Sequence, residues 1–277
     1  MLISSRQNER VKAIRALKDK RERDAAGAFF VEGVQVLRAA LRTGAVIEQV
    51  VLAPGRLNAE EARLAETLAE MRLPTLEVTP EVFDSLAFRE EAQSLGAVVR
   101  QRWETLASVT ESRRCWLALH DIQHPGNLGT LIRTCDAIGG DGVILSGRST
   151  DPYHPVAVRG SLGAVFTQRI VRATQAELAG WLRRSGCRVI GTSPAGETDY
   201  READYASRPV VIVSGNERSG ISPEQIALCD EVVRIPMAGY VDSLNLSVAT
   251  ALVLYEVLRQ REGRSRGPDR NEGPGRA

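Results

Sequence analysis

The sequence is poor in the residues that build metal sites and disulfide frameworks. Its 277 residues contain four cysteines and three histidines, and the cysteines are far apart with no CxxC pair. His120 and His124 have the i, i+4 spacing of zinc ligands, but they lie beside a Pro-Gly turn and no third ligand is evident. We therefore expect no bound metal, and we expect free thiols in a reducing, cytoplasmic compartment.

Long apolar runs are also missing. The longest run, near Ala249 to Leu258, is well short of the roughly 20 residues that span a bilayer, and no basic-then-apolar leader opens the chain. With 43% hydrophobic and 26% charged residues, the composition favours sizeable cores rather than disorder. A net charge of +1 argues against coating of nucleic acid by the whole surface but permits a local basic face. These features predict a soluble cytoplasmic protein without membrane contact.

Three familiar fingerprints are absent. The turn after the strand-like run WLALHD (116–121) lacks the GxGxxG spacing of dinucleotide-binding proteins, and the chain contains no GxxxxGK[ST] sequence. Gly160 to Gly163 does not form the GxSxG elbow of hydrolases. A nucleotide-dependent oxidoreductase, a P-loop NTPase and a serine hydrolase are therefore poorly supported.

The pattern of strands and helices divides the chain in two. The first hundred residues predict a small α/β module with strands at AFFVEG, VIEQVVLA, LEVT and GAVVRQR, and with Asn58 capping a helix that reaches Met71. From Cys115 onward, strands (one of them VFTQRIV, 165–171) alternate with helices, which favours a mostly parallel sheet with helices on both faces. We expect a first domain at 1–102, a linker at 103–114, a second domain at 115–262 and a disordered tail at 263–277.

Three polar, glycine-bearing segments follow strand-like runs in the second domain. They are DIQHPGNLGTLIRTCDAIGG (121–140), VIVSGNERSGI (211–221) and RIPMAGYVDSLNLSVATA (234–251). In open α/β sheets, ligands bind in the crevice outside the carboxyl ends of the strands. Glycines allow a ligand to approach the backbone there, and amide, guanidinium and carboxylate groups orient it. The three segments therefore predict a common ligand site.

Each polar residue of these segments also has a purely structural interpretation. Asn127 suits the cap of a helix that begins at the next residue, and Asn245 suits the cap of the final helix. Glu217 is typical of a first-turn carboxylate near a helix dipole, and Arg133 of a surface ion pair. A ligand site explains all of them together, and we favour it for that reason.

In order and spacing, the segments resemble the motifs of the SpoU/TrmH family of RNA ribose 2′-O-methyltransferases, which belong to the SPOUT superfamily. The matching patterns are P-x-N-x-G-x(3)-R-T from Pro125, S-G-N-E-x-x-G from Ser214 and I-P-M-x-G-x(3)-S-L-N-x-S from Ile235. The resemblance covers about residues 115–260. His124 departs from it, because the family usually has Asp or Asn before the proline. The first domain, through NERVK (8–12) and FFVEG (29–33), is similar to the family's L30e-like RNA-binding domain.

The resemblance implies a fold, a cofactor and a reaction. The fold is an α/β domain with a trefoil knot, the cofactor is S-adenosylmethionine, and the enzyme is a homodimer that works without a metal. The reaction is 2′-O-methylation of a ribose in structured RNA, with ribosomal RNA favoured by analogy with two-domain relatives. A transfer RNA substrate, and a non-catalytic RNA-binding protein on the same fold, are the alternatives.

The resemblance also implies roles for individual residues. The expected catalytic residues are Asn127, Arg133, Glu217, Ser243 and Asn245. The expected cofactor-binding residues are Thr192, Ser193, Ser214, Gly215, Asn216, Gly220, Ile235, Pro236, Met237, Leu244, Asn245 and Ser247. The expected RNA contacts are Arg6, Arg10, Lys12, Lys20 and Arg21, within a basic stretch that runs to Arg23. Because acidic residues dilute this stretch, a solvated amphipathic helix is the alternative for it.

Overall fold

A computed structural model describes residues 2–88, 93–109 and 115–265. Two compact units are present, and both are discontinuous in sequence. The first unit comprises Met1–Glu104, Gln123–Asp136 and Thr150–Ile170; the second comprises Thr105–Ile122, Ala137–Ser149 and Val171–Ala277. Most of the expected tail, and the last part of the expected linker, lie outside the described residues. The domain boundaries at 102 and 115 stay a prediction.

The first unit contains a four-stranded sheet. Its strands are β1 (Ala28–Glu32), β2 (Ile47–Leu52), β3 (Thr75–Glu77) and β4 (Leu95–Arg100), in the order β1-β4-β2-β3. Strand β4 pairs antiparallel with β1 and β2, whereas β3 pairs parallel with β2. All four strands overlap runs that the sequence predicts as strands, although β3 shares only Leu76 and Glu77 with the predicted LEVT run.

Five helices precede or alternate with these strands along the chain. They are α1 (Glu9–Ala16), α2 (Lys20–Ala26), α3 (Val34–Arg42), α4 (Ala59–Glu70) and α5 (Pro80–Leu86). The predicted cap of α4 is confirmed, because the Asn58 side chain accepts hydrogen bonds from the backbone N–H groups of Glu60 and Glu61. The Glu61 carboxylate in turn accepts from the Asn58 N–H, which completes a capping box. One face of α1 and the residue that follows it is buried. Val11, Ile14 and Leu17 on this face belong to the same hydrophobic cluster as residues of α5.

Three further helices of the first unit come from the middle of the chain: α6 (Pro125–Ala137), α7 (Pro155–Ser161) and α8 (Ala164–Thr167). Helices α6 and α7 approach closely because Gly129 has no side chain; a Cβ there would lie 2.4 Å from the Ala157 carbonyl oxygen. The prediction of one strand over 165–171 is partly wrong. Leu162 and Gly163, at φ +48° and +94°, turn the chain into α8, and the strand begins only at Arg169.

A seven-stranded sheet confirms the predicted α/β fold of the second domain. Its strands are β5 (Cys115–His120), β6 (Gly142–Ser146), β7 (Arg169–Ala173), β8 (Arg188–Thr192), β9 (Thr198–Asp199), β10 (Val210–Ser214) and β11 (Glu231–Arg234). Their order is β7-β6-β5-β10-β8-β11-β9. Strand β10 pairs parallel with β5 and β8, and all five of its residues are buried, as expected of a central parallel strand.

The second unit contains three more helices: α9 (Gln175–Arg184), α10 (Pro223–Ile226) and α11 (Leu246–Ser265). Its core includes Trp116 of β5 and Trp181 of α9, whose ring centroids lie 6.3 Å apart in an edge-to-face arrangement. Among the helices of the described ranges, none has the length and apolar character that a membrane span requires.

Candidate functional site

A cavity lies at the carboxyl ends of β8, β10 and β11 in the second unit. Its volume is about 390 Å³, within the range of small-molecule sites. Its walls include ten of the residues predicted for the site: Thr192, Ser193, Gly215, Asn216, Glu217, Gly220, Ile235, Met237, Ser243 and Leu244. The second and third polar segments therefore converge, as the sequence predicts.

One wall of the cavity is a tight loop after β10. Asn216 and Gly220 exchange two backbone hydrogen bonds of 2.9 Å, so the loop closes on itself. A Cβ at Gly215 would stand 1.8 Å from the Gly220 carbonyl oxygen, a distance that no side chain tolerates. Gly220 itself has φ +67°, in the left-handed region. Both glycines are thus required by the shape of the loop.

The Asn216 side chain holds this loop in place. Its Oδ1 accepts hydrogen bonds from the N–H groups of Arg218 (2.9 Å) and Ser219 (3.3 Å). Its Nδ2 donates to the Asp121 carbonyl oxygen at 2.8 Å, just after β5. Asn216 therefore joins the second polar segment to the beginning of the first. Its side-chain hydrogen bonds hold the loop in the position where it lines the cavity.

Buried hydroxyl groups link the strands beneath the cavity to α11. The Oγ1 of Thr192, a wall residue, lies 3.1 Å from the Ser214 Oγ, which lies 3.0 Å from the Thr250 Oγ1. Ser214 and Thr250 are fully buried. Ser214, predicted as a cofactor contact, thus lies behind the wall, and Thr250 is a supporting residue that sequence reasoning missed. Its only signal was a hydroxyl on the buried face of an apolar helix.

The third polar segment begins α11 with a side-chain cap. The Asn245 Oδ1 accepts from the Ser247 N–H at 2.9 Å and from the Ser247 hydroxyl at 2.6 Å. Asn245 therefore caps α11, as its structural interpretation predicts. A role in the reaction would be additional to this one. Within the described chain, the residues lining the cavity do not include Pro236, Asn245 or Ser247. Asp242, which accepts a hydrogen bond from the Ser243 hydroxyl, lines it although the sequence did not single it out.

The remaining predicted catalytic residues lie on α6, in the first unit. This helix begins at Pro125, a residue whose fixed φ suits the first helical position. Asn127 is therefore the third residue of α6 and not its cap. Arg133 is exposed, whereas its neighbours Leu131 and Ile132 are fully buried.

The predicted RNA contacts lie on and beside α1 and α2. Arg6, Arg10, Lys20 and Arg21 are exposed, and Lys12 forms an ion pair of 2.9 Å with Glu9. Arg23, at the end of the same basic stretch, is instead buried, with its guanidinium bonded to the Asp151 carboxylate. Arg23 is therefore a structural residue, and the basic face ends before it.

Metal ligands are not clustered in the parts of the chain that the structure describes. No group of three or more His, Cys, Asp or Glu side chains in residues 2–88, 93–109 and 115–265 is arranged to hold an ion. The cavity walls offer apolar side chains, hydroxyls and the backbone of a glycine-bearing loop. A parallel α/β sheet with such a cavity at its carboxyl edge defines a protein that binds a small organic ligand, of the size of a nucleotide-like cofactor.

Comparison with protein families identifies that class more closely. Residues 114–255 match the SpoU rRNA Methylase family, and residues 8–97 match the MRM3-like substrate binding domain. The chain therefore belongs to the SpoU rRNA methylase family.

Two relatives whose names specify a reaction match along most of their length. The chain is 33% identical to a 23S rRNA (uridine(2479)-2′-O)-methyltransferase of Streptomyces viridochromogenes, over 88% of this chain and 87% of the relative. It is 29% identical to the 23S rRNA (guanosine(2553)-2′-O)-methyltransferase RlmP of Bacillus subtilis, over 92% and 98%.

Solved structures of methyltransferases are also similar to this chain. The AdoMet-bound rRNA methyltransferase of Sinorhizobium meliloti superposes with a TM-score of 0.86 at 36% identity, covering 94% of this chain and 97% of that one. The SpoU methyltransferase AviRb of Streptomyces viridochromogenes, in complex with AdoMet, gives 0.84 at 31% identity, covering 92% and 99%. Both similarities extend over more than nine tenths of this chain.

Proposed function

We propose that this protein transfers a methyl group from S-adenosylmethionine to a ribose 2′-hydroxyl of ribosomal RNA. One observation carries the proposal: the closed loop from Gly215 to Gly220 forms a wall of the cavity at the carboxyl edge of the sheet. Two relatives are named as 23S rRNA 2′-O-methyltransferases, one for a uridine and one for a guanosine.

The cavity residues fit S-adenosylmethionine. Ile235, Met237 and Leu244 provide apolar walls for an adenine ring, while Thr192 and Ser193 provide hydroxyl groups for polar atoms. The absent Cβ at Gly215 lets the loop close on itself, and the closed loop lines the cavity. When bound, the cofactor supplies a methyl group on a sulfonium, which requires no activation by a metal.

The chain's own residues must position the nucleophile, because a ribose hydroxyl is a poor one. Holding reacting groups about 3–3.5 Å apart contributes roughly 7–11 kcal/mol to such a step. A guanidinium is a permanently charged group that donates hydrogen bonds and has no acceptor position. Arg133 therefore serves as the cation that binds an adjacent phosphate and stabilises the developing alkoxide, and the proton leaves through water or a phosphate. Asn127, Glu217, Ser243 and Asn245 orient these groups.

The proposal includes an assembly and a location. The protein is a cytoplasmic homodimer, its second domain contains the trefoil knot, and residues 1–102 bind RNA. The apolar surface of α11 supports the dimer: Val248, Leu252 and Tyr255, spaced four and three residues apart, are 50%, 38% and 53% exposed. An exposed apolar row on one helix is typical of an interface with a second copy.

Mapping of 2′-O-methyl groups across total RNA tests the proposed function. RNA from cells that lack the protein is compared before and after treatment with purified protein and S-adenosylmethionine. We expect one ribose of 23S rRNA to become methylated without an added divalent ion. The appearance of the new methyl group in transfer RNA alone, or in no RNA, would overturn the proposal.

A further inference from the structure

One residue at the carboxyl edge of the seven-stranded sheet has an unusual backbone conformation. Asp121, the residue after β5, has φ +52°, in the left-handed region that few residues other than glycine, asparagine and aspartate adopt. Such conformations persist only where the surrounding structure holds them, and they are concentrated at functional sites. The contacts of Asp121 indicate how this chain uses it.

The loop after β6 holds Asp121 at two points. The Asp121 N–H donates a hydrogen bond to the Ser146 carbonyl oxygen at 3.2 Å. Two residues further along, the Arg148 N–H donates to the Asp121 Oδ1 at 2.5 Å. A carboxylate that accepts from a backbone N–H makes a charge-assisted hydrogen bond, which is stronger than a neutral one. The backbone and the side chain of Asp121 are therefore both fixed to the end of β6.

Gly147, between these two partners, makes room for the carboxylate. A Cβ at Gly147 would overlap the Asp121 Oδ1 and would lie 2.8 Å from the His120 Cε1. Gly147 also has φ +64°, a conformation that glycine adopts without strain. The loop after β6 is thus shaped to receive the side chain of Asp121.

The carbonyl oxygen of Asp121 is directed to the strand on the other side of β5. It accepts a hydrogen bond from the Asn216 Nδ2 at 2.8 Å. Strands β6 and β10 pair with β5 on opposite sides, so Asp121 connects the ends of three adjacent strands. Because φ helps to set the direction of a carbonyl relative to the N–H of the same residue, a change to the usual negative φ would turn this oxygen away from Asn216.

The loop that lines the cofactor cavity is attached to the sheet through this bond. Among the described residues, the Asn216 side chain has one partner outside the loop, the Asp121 carbonyl oxygen. Its other side-chain bonds go to Arg218 and Ser219, and its backbone pairs with Gly220, all within the loop. The Asp121 carbonyl therefore helps to fix the position of this cavity wall relative to the strands.

We propose that Asp121 is a positioning residue of the cofactor site, whose left-handed conformation sets the loop from Gly215 to Gly220 as a preformed wall for S-adenosylmethionine. The inference rests on the proposed function for the identity of the ligand. Asp121 is not among the described residues that line the cavity, so it acts through Asn216. A wall that is already fixed before the ligand arrives costs less conformational entropy on binding, which raises affinity.

Three substitutions at Asp121 separate its conformation from its charge. Asparagine keeps the left-handed preference and an acceptor oxygen, glycine keeps the conformation alone, and valine opposes it through its branched Cβ. By calorimetry on the full-length protein, we expect the Kd for S-adenosylmethionine to stay within about twofold for Asp121→Asn and to rise at least about tenfold for Asp121→Val, with Asp121→Gly between them. Arg72→Val is the matched control, because Arg72 is an exposed residue with φ +55° after α4. An unchanged Kd in Asp121→Val, or an equal rise in Asp121→Asn or Arg72→Val, would overturn the proposal.

A substitution at Gly147 disturbs the same contact without altering Asp121. In Gly147→Ala, the added methyl group must separate the Asp121 carboxylate from the Arg148 N–H. Gly186→Ala is the matched control: Gly186 has φ +65°, and a Cβ there meets nothing within 4 Å. Both variants carry the same backbone strain, so a difference between them measures the clash with Asp121. We expect the Kd for S-adenosylmethionine to be at least about tenfold higher in Gly147→Ala than in Gly186→Ala, and equal values would contradict the proposal.

Hydrogen exchange in the protein without cofactor tests the loop directly. In Asp121→Val and Gly147→Ala, we expect the amides of residues 216–220 to exchange about tenfold faster than in wild type, while those of β5 and β10 keep their rates. Unchanged loop amides contradict the proposal, and so does faster exchange throughout both strands, which would indicate a general loss of stability. A wild type that binds S-adenosylmethionine and methylates no RNA, with these local effects present in the variants, contradicts the proposed function alone.

Discussion

Among single residues, Arg133 allows the sharpest test of the reaction. We expect Arg133→Ala to lower kcat by about 10²- to 10³-fold, the usual effect of removing one group that stabilises an oxyanion. Affinity for S-adenosylmethionine, measured by calorimetry, should stay within a few-fold of wild type. Arg183→Ala, which removes an exposed arginine from α9, serves as the control and should have no effect. A large loss of cofactor affinity in a folded Arg133→Ala protein would move this residue from the reaction to the cofactor site.

Gly215 tests the cavity itself. In Gly215→Ala, the added methyl group has no room beside the Gly220 carbonyl oxygen, so the loop must open. We expect affinity for S-adenosylmethionine to fall by at least tenfold while the circular dichroism spectrum is retained. Gly55→Ala is a matched control, because a Cβ at Gly55 meets nothing within 4 Å. Normal cofactor binding by Gly215→Ala would show that the loop does not form the binding site.

Among the elements, helix α2 is attached to a distant segment by a buried ion pair. The Arg23 guanidinium donates to the Asp151 carboxylate at 2.8 and 2.9 Å, and both side chains are only 2% exposed. Arg23 also donates to the carbonyl oxygens of Leu17 and Lys18, so that α1, α2 and residue 151 share one cation. Loss of one partner leaves the other charge buried, which costs about 3–5 kcal/mol.

We therefore expect Arg23→Met to lower the free energy of unfolding by several kcal/mol in urea titrations. Lys20, on the same helix, pairs with Asp24 at the surface, and an exposed pair contributes at most about 1 kcal/mol. Lys20→Met is thus the control for loss of one positive charge from α2. Equal destabilisation by the two substitutions would contradict a special role for the buried pair.

Local signals in the sequence explain which elements were predicted and which were not. Asn58 followed three residues later by Glu61 specifies the beginning of α4, because the capping box needs only these two side chains. Residues 165–171 contain β-branched residues typical of strands, yet Leu162 and Gly163 in left-handed conformations make the first of them helical. No local pattern specifies the bond between Arg23 and Asp151, 128 positions apart.

The candidate site shows the same division. The motif glycines and the convergence of two segments followed from strand ends in a parallel sheet, which obey a general topological rule. The sequence did not predict the bond from Asn216 to Asp121 or the hydroxyl contact between Ser214 and Thr250, because these depend on which strands become neighbours. Strand order is a property of the whole sheet, and the spacing of apolar residues in each strand does not encode it.

For the whole molecule, the proposed homodimer can be tested by measuring the mass of the protein in solution. Light scattering at micromolar concentration should give twice the 30.2 kDa mass of one chain. Tyr255→Lys places a charge in the exposed row of α11 and should give a monomer. Ile226→Lys, at another exposed apolar residue that is 43% accessible, should remain dimeric. A monomeric wild type with full methylation activity would contradict the proposed assembly.

The position of β10 in the sheet determines how this chain can reach its folded state. Strand β10 lies between β5 and β8, and its residue Val210 pairs with Cys115, a partner almost a hundred positions earlier. Pairing over so long a loop is slow, because the chain loses the entropy of closure before the new contacts repay it. Strand β5 pairs with β6 on one side, so its other edge stays unpaired until β10 has been synthesised and has folded against it. During synthesis on the ribosome, an unpaired strand edge of this kind is open to pairing with another molecule.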